Sequence, residues 1–156
     1  MSVPTLLVTG ASGHLGRAVV RHLLDTLNID PARVIATSRK PEALADLAAQ
    51  GVTVRAADFD RPDTLAEAFR GADRLLLVST DALLEPGKRL VQHRAAVQAA
   101  VEARVKHVVY TSLPSPDTSH VSFAPDHLGT EQALAASGLG WTFLRNACYA
   151  ENLAYA

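Results

Sequence analysis

Three glycines, Gly10, Gly13 and Gly16, stand three residues apart between an apolar run that ends at Thr9 and an amphipathic segment that begins at Leu15. That order reads as strand, tight turn and helix, and its chemistry is anion binding. Such a turn needs backbone angles that a Cβ forbids, and a bulky diphosphate must come close to bare N–H groups. The first helical turn adds unpaired donors and a partial positive charge. The spacing is Gly-x-x-Gly-x-x-Gly, not the Gly-x-Gly-x-x-Gly of the most familiar dinucleotide fingerprint, but the flanking strand and helix are the context that gives the motif meaning. A nucleotide-binding turn is expected, with a purely structural turn as the alternative.

The end of the second apolar run discriminates between nucleotides. A free ribose 2′-hydroxyl is usually held by Asp or Glu about 20 residues past the glycines. This chain has Thr37-Ser38-Arg39-Lys40 there and no acid. A guanidinium grips a 2′-phosphate through paired charge-assisted hydrogen bonds, and Lys40 adds a point charge. NADPH is therefore expected over NADH, the plain alternative being a solvated basic turn. Asp58 and Phe59 are placed to flank an adenine, although Phe59 suits a core equally well. Ser79, Thr80 and Asp81 fall where ribose or phosphates near the nicotinamide half would lie.

These residues need a common edge, and the pattern of elements provides one. Six apolar runs read as strands: Val3–Thr9, 34–37, 52–56, 75–78, 107–110 and 141–144. Helical segments separate them. The first carries Leu15, Val19, Val20, Leu23, Leu24 and Leu27 on one face at helical period. Further helices are expected after Pro41, after Pro62, over Leu90–Ala103 and over Asp126–Ser137, with Gly51, Gly71 and Gly138 as stops. Strand and helix alternate throughout, so the fold class is α/β: a doubly wound parallel sheet of about six strands, in the order 3-2-1-4-5-6, forming one domain over residues 1–156. Each run gives way to polar residues at its carboxyl end, and in an open parallel sheet those ends line the crevice where ligands bind.

Composition narrows the setting. The 156 residues carry a net charge of −1 and are 48% hydrophobic and 20% charged, which suits a globular chain and offers no surface for nucleic acid or acidic membranes. One cysteine, Cys148, excludes an internal disulfide and fits a reducing, cytoplasmic compartment. The first residues lack a secretion signal, and no run approaches the roughly 20 apolar residues of a membrane span.

Several separated motifs agree with one family. Thr9-Gly10-Ala11-Ser12-Gly13-His14-Leu15-Gly16 resembles the short-chain dehydrogenase/reductase superfamily in its extended and atypical branches. Gln92-His93-Arg94, Tyr110-Thr111-Ser112-Leu113, Asp117-Thr118-Ser119 and Leu144-Arg145-Asn146, with Tyr149 and Glu151-Asn152, resemble NmrA-like proteins, nearest the NADPH:quinone oxidoreductase type 2 group. The similarity covers nearly the whole chain, with a longer loop around Leu83–Lys88. It implies a Rossmann fold and NADPH or NADP bound by Gly10, Ala11, Ser12, Gly13, His14 and Leu15, by Arg39, by Ser79, Thr80 and Asp81, and by Asn146, Ala147, Cys148, Tyr149, Ala150 and Glu151 beside the nicotinamide. It also implies hydride transfer to a quinone-like small molecule or, in some branches, cofactor sensing without turnover.

Typical members of the wider superfamily carry a Tyr-x-x-x-Lys pair after the fifth strand, where the phenol protonates the carbonyl oxygen. Here the corresponding stretch is His127-Leu128-Gly129-Thr130-Glu131, with neither group. A quinone takes hydride without a strong acid in place, so the loss favours quinone over ketone chemistry, and fits a sensor equally. No catalytic residue stands out. Asn146 and Tyr149 are candidates for contacting nicotinamide or substrate, and His127 for donating a proton, the competing reading of His127 being a helix-surface or capping residue. Cys148 is expected to be small and buried. Asp117, His120, Asp126 and His127 match no tight ligand spacing, so no metal is expected. The family's C-terminal substrate region has no counterpart by Ala156, which suggests a fragment or a pocket completed by a second chain, in a homo-oligomer for instance.

Overall fold

The computed structural model describes residues 3–150. Six strands form one all-parallel sheet: β1 (Leu6–Val8), β2 (Val34–Ser38), β3 (Thr53–Ala56), β4 (Arg74–Leu77), β5 (His107–Ser112) and β6 (Gly140–Arg145), in the order β3-β2-β1-β4-β5-β6. This is the expected order. The strands are apolar because both their faces are covered. Successive side chains leave a strand on opposite sides, so Leu7 and Ile35 join one core while Val8 and Ala36 join the other. Helices α1 (His14–Arg21) and α2 (Ala45–Ala49) supply Val20 and Leu47 to the second core. Helices α3 (Leu65–Phe69), α4 (Lys88–Glu102) and α5 (Ala124–Ala136) supply Phe69, Ala96, Ala100 and Leu134 to the first.

Element boundaries differ from the sequence reading in instructive ways. β1 is shorter than Val3–Thr9: the Thr9 N–H still bonds the Leu76 carbonyl, at 3.1 Å, and its side chain then closes the end of the strand pair. Its hydroxyl donates to the Leu76 carbonyl at 3.1 Å and accepts from the Val78 N–H at 2.9 Å, bridging β1 and β4 where they part. The first helix does not run straight to Leu27. It widens into a π turn at His22–Thr26, and Leu27 ends up 53% exposed instead of completing the apolar stripe. α5 begins at Ala124 rather than Asp126, since Pro125 is tolerated in a first turn whose N–H has no helical partner. No helix among the described residues is long and apolar enough to cross a membrane.

Candidate functional site

At the carboxyl edge of the sheet, where the chain leaves β1 and β4 in opposite directions, lies a cleft of about 250 Å³. Its floor and one wall come from the glycine turn. Gly10 sits at φ +60°, in the left-handed region that favours glycine, and the Gly13 N–H closes the turn on the Gly10 carbonyl at 2.9 Å. Gly16 is required for a different reason. A Cβ there would collide with the carbonyl group of Gly10 and the Cα of Ala11, so only glycine lets α1 start this close to the turn. α1 has no acidic residue in its first turn and no side-chain cap from Gly13. Among the described residues the N–H groups of Ser12, His14 and Leu15 find no acceptor. That is a donor cradle suited to an anion.

The other walls come from the ends of β2, β3 and β4. Gly10, Ser12, Gly13, Arg39, Asp58, Phe59, Ser79, Thr80 and Asp81, all expected from sequence, line the cleft together. Phe59 lines the cleft and also packs on the core. Ser38 orders the region: its hydroxyl lies 2.9 Å from that of Ser12 and accepts the Lys40 N–H at 3.0 Å, fixing the bend from which Arg39 projects. Across the mouth, Arg39 Nη2 stands 3.9 Å from Asp81 Oδ2.

Other expected residues lie elsewhere. Ala11 is fully buried in the α1–α2 core, and its N–H is spent on the Thr37 carbonyl at 2.9 Å. His14 is exposed and borders a separate depression with Arg17, while Leu15 is half-buried beside the turn. Asn146, Ala147, Cys148, Tyr149 and Ala150 follow β6, outside the cleft lining. Asn146 donates to the Tyr149 hydroxyl at 3.0 Å. Cys148 is exposed, contrary to the expectation of burial, because the chain has left the sheet after Arg145. Glu151 lies outside the described residues. No cluster of three or more His, Cys, Asp or Glu among the described residues is arranged to hold a metal ion.

His127 is neither on the helix surface nor a cap. It is 4% exposed, with Nδ1 2.7 Å from the Tyr110 hydroxyl and Nε2 3.0 Å from Arg89 Nη1. A guanidinium only donates, so Nε2 accepts and the proton sits on Nδ1. Burial first, and then the nearby Arg89 charge, push its pKa down to about 4. His93 is fully buried and treated alike: its Nε2 accepts the Thr80 N–H at 3.0 Å, and burial pushes it down to about 3. Both imidazoles are neutral at pH 7 and engaged inward.

The sequence reading missed Ala57, Asp60, Val78 and Gln92 in the cleft lining. Gln92 accepts the Thr80 hydroxyl proton at Oε1, 2.6 Å away, and donates from Nε2 to Asp60 at 2.8 Å. That bond, ahead of the Lys88 charge, holds the Asp60 carboxyl below its usual range. The available signal was a Gln-His pair inside an alanine-rich helix, a costly place for two polar side chains without partners.

The model of the NmrA-like family matches residues 3–156. This chain belongs to the NmrA-like family. Among the proteins it resembles, quinone oxidoreductase 2 of Escherichia coli is 42% identical over 147 residues, covering 94% of this chain and 50% of that protein. The NAD(P)H azoreductase of Xenophilus azovorans is 33% identical over 150 residues, covering 95% and 49%. The NmrA-like chain also superposes on the Citrobacter triphenylmethane reductase complexed with NADP(H), with a TM-score of 0.90 at 38% identity, covering 96% of this chain and 51% of the other. The chain spans about half the length of the curated relatives it matches.

Proposed function

We propose that this chain forms the nucleotide-binding part of an NADPH-dependent oxidoreductase that passes hydride to quinones or similar flat electron acceptors. The observation that carries the reading is the meeting of two features in one cleft: the glycine-turn amides, and the Arg39 guanidinium at the end of a β2 that offers no carboxylate. The first suits a pyrophosphate and the second a 2′-phosphate. In this assignment Gly10, Ser12 and Gly13 take the diphosphate, with the N–H groups of His14 and Leu15 beside them. Asp58 and Phe59 flank the adenine, and Ser79, Thr80 and Asp81 meet the ribose. The segment from Asn146 onward approaches the nicotinamide.

NADPH held there supplies the hydride. The chain's own residues bind and orient. With His93 and His127 neutral and turned inward, the described part of the cleft presents no acid matched to protonating a ketone oxygen. An electron-poor quinone ring takes hydride without one, and its oxygens collect protons from water. The quinone oxidoreductase and azoreductase among the relatives support this choice of acceptor. Relatives about twice as long support the view that further sequence, or a second copy, completes the acceptor's enclosure. A cytoplasmic location belongs to the same proposal, supported by the solitary cysteine.

Stopped-flow mixing of NADPH-loaded protein with a benzoquinone tests this. Oxidation faster than that of free NADPH is expected. Binding without acceleration would contradict the enzymatic reading and leave a cofactor sensor.

A further inference from the structure

Thr80 lies past the end of β4, where no neighbouring strand remains to pair its peptide group, yet it lines the cleft. Two consecutive residues of α4 hold it. His93 Nε2 accepts the Thr80 peptide N–H at 3.0 Å, and Gln92 Oε1 accepts its hydroxyl proton at 2.6 Å. Both side chains are buried, at 0% and 7% exposure. Gln92 then reaches the opposite wall, where its Nε2 donates to Asp60 Oδ1 at 2.8 Å. One dipeptide thus ties the loop after β3 to the loop after β4.

The tautomer that this arrangement needs is fixed from behind. His93 Nδ1 lies 2.9 Å from Thr130 Oγ1, and the Thr130 hydroxyl spends its own hydrogen on the Asp126 carbonyl at 2.7 Å. Thr130 is left as an acceptor, so Nδ1 carries the proton and Nε2 is free to accept. Arg89, His127 and Tyr110 continue the packing outward, with the Tyr110 hydroxyl 3.3 Å from His93 Nδ1. The imidazole is locked in place as well as in tautomer.

We propose that Gln92 and His93 are positioning residues of the nucleotide site. Gripping Thr80 by its peptide N–H and its hydroxyl, they set the separation of the β3 and β4 loops, and with it the place of Asp81 opposite Arg39. The inference rests on the NADPH reading given above. Neither side chain takes part in hydride transfer, so their loss raises the nucleotide KM and leaves kcat at saturation nearly unchanged.

The test is a calorimetric titration of NADP+ into the 156-residue chain and three variants, with circular dichroism confirming that each is folded. His93→Phe removes the acceptor and keeps the bulk. Gln92→Met removes both amide bonds. His93→Gln keeps an acceptor oxygen where Nε2 stands. The Phe and Met variants are expected to bind NADP+ about 5- to 20-fold more weakly, the loss of one or two buried hydrogen bonds, and the Gln variant to stay within about threefold of the unaltered chain. A folded His93→Phe protein with undiminished affinity overturns the inference, as does a Gln variant as weak as the Phe one. Should His93→Phe not fold, Gln92→Met decides, and unchanged binding there overturns it. If the unaltered chain binds no NADP+, the nucleotide reading itself falls and takes this inference with it; equal binding by chain and variants removes the inference alone.

Discussion

Arg39 and Asp81 face one another across the cleft mouth, Nη2 to Oδ2 at 3.9 Å, with both side chains more than half exposed. A pair so long and so wet contributes less than about 1 kcal/mol. It is therefore readily given up when a doubly charged 2′-phosphate offers the guanidinium a bidentate partner. Arg39→Ala should weaken NADPH binding about 10- to 100-fold and NADH binding less than about threefold, as measured by parallel titrations. Equal losses for both nucleotides in Arg39→Ala would remove the argument for 2′-phosphate recognition.

Gly13 and Gly16 separate binding from folding. Gly13 has φ −83°, open to any residue, and its nearest obstacle to a Cβ is the Gly10 oxygen at 3.4 Å. A Gly16 Cβ would press on backbone, 2.7 Å from the Gly10 carbonyl carbon and 2.9 Å from the Ala11 Cα. Gly16→Ala should cost about 1–3 kcal/mol of stability in urea unfolding, as overpacking against rigid backbone does. Gly13→Ala should unfold within about 0.5 kcal/mol of the unaltered chain. It should nonetheless bind nucleotide at least about tenfold more weakly, since the new methyl stands among the groups lining the cleft.

Glu131 ties α5 to the ends of β5 and β6. Arg145 donates to both its oxygens, at 3.0 and 2.7 Å, and the Ser112 hydroxyl donates at 2.6 Å. Burial alone would raise the carboxyl's pKa, but these donors more than offset it, and the net shift is downward. A depressed carboxylate stabilises the fold fully above its unfolded pKa of about 4.3 and loses that contribution as pH falls through the folded value. Glu131→Gln should cost about 1–3 kcal/mol at pH 7, moderated because Arg145 is half exposed and can return to water. The difference from the unaltered chain should shrink in urea melts taken below pH 4.

The two buried histidines set a second window. Their folded pKa values, about 3 for His93 and about 4 for His127, lie below the unfolded value of about 6.5. The unfolded chain therefore binds more protons below pH 6.5, and stability, complete above that pH, falls toward pH 4 by up to about 1.4 kcal/mol per pH unit for each histidine. His127→Phe should flatten part of that slope. It should leave any quinone turnover between pH 6 and 8 unchanged in profile, because the ring is neutral throughout that range.

Most of the fold was legible because its signals are local and repeated. Continuous apolar runs such as 75–78 mark doubly covered strands, and alternation with helices leaves few topologies. The polar ends Ser38–Arg39, Asp58 and Ser79–Asp81 were legible as a site because a parallel sheet brings such ends to one edge. What stayed hidden depends on three elements meeting. His127 reads as a surface residue until Tyr110 from β5 and Arg89 from α4 enclose it. Gln92 and His93 carry part of the family resemblance but show no role until Thr80 reaches them. The exposure of Cys148 follows from where β6 ends, which apolar periodicity locates only to within a residue or two.

The most direct measurement is the affinity of the folded chain for NADPH and NADH, titrated side by side in one buffer. Amides of the glycine turn holding a pyrophosphate, with Arg39 selecting the extra phosphate, predict saturable binding of both and about a 10- to 100-fold preference for NADPH. No association of either nucleotide at millimolar concentration would contradict the account at its root.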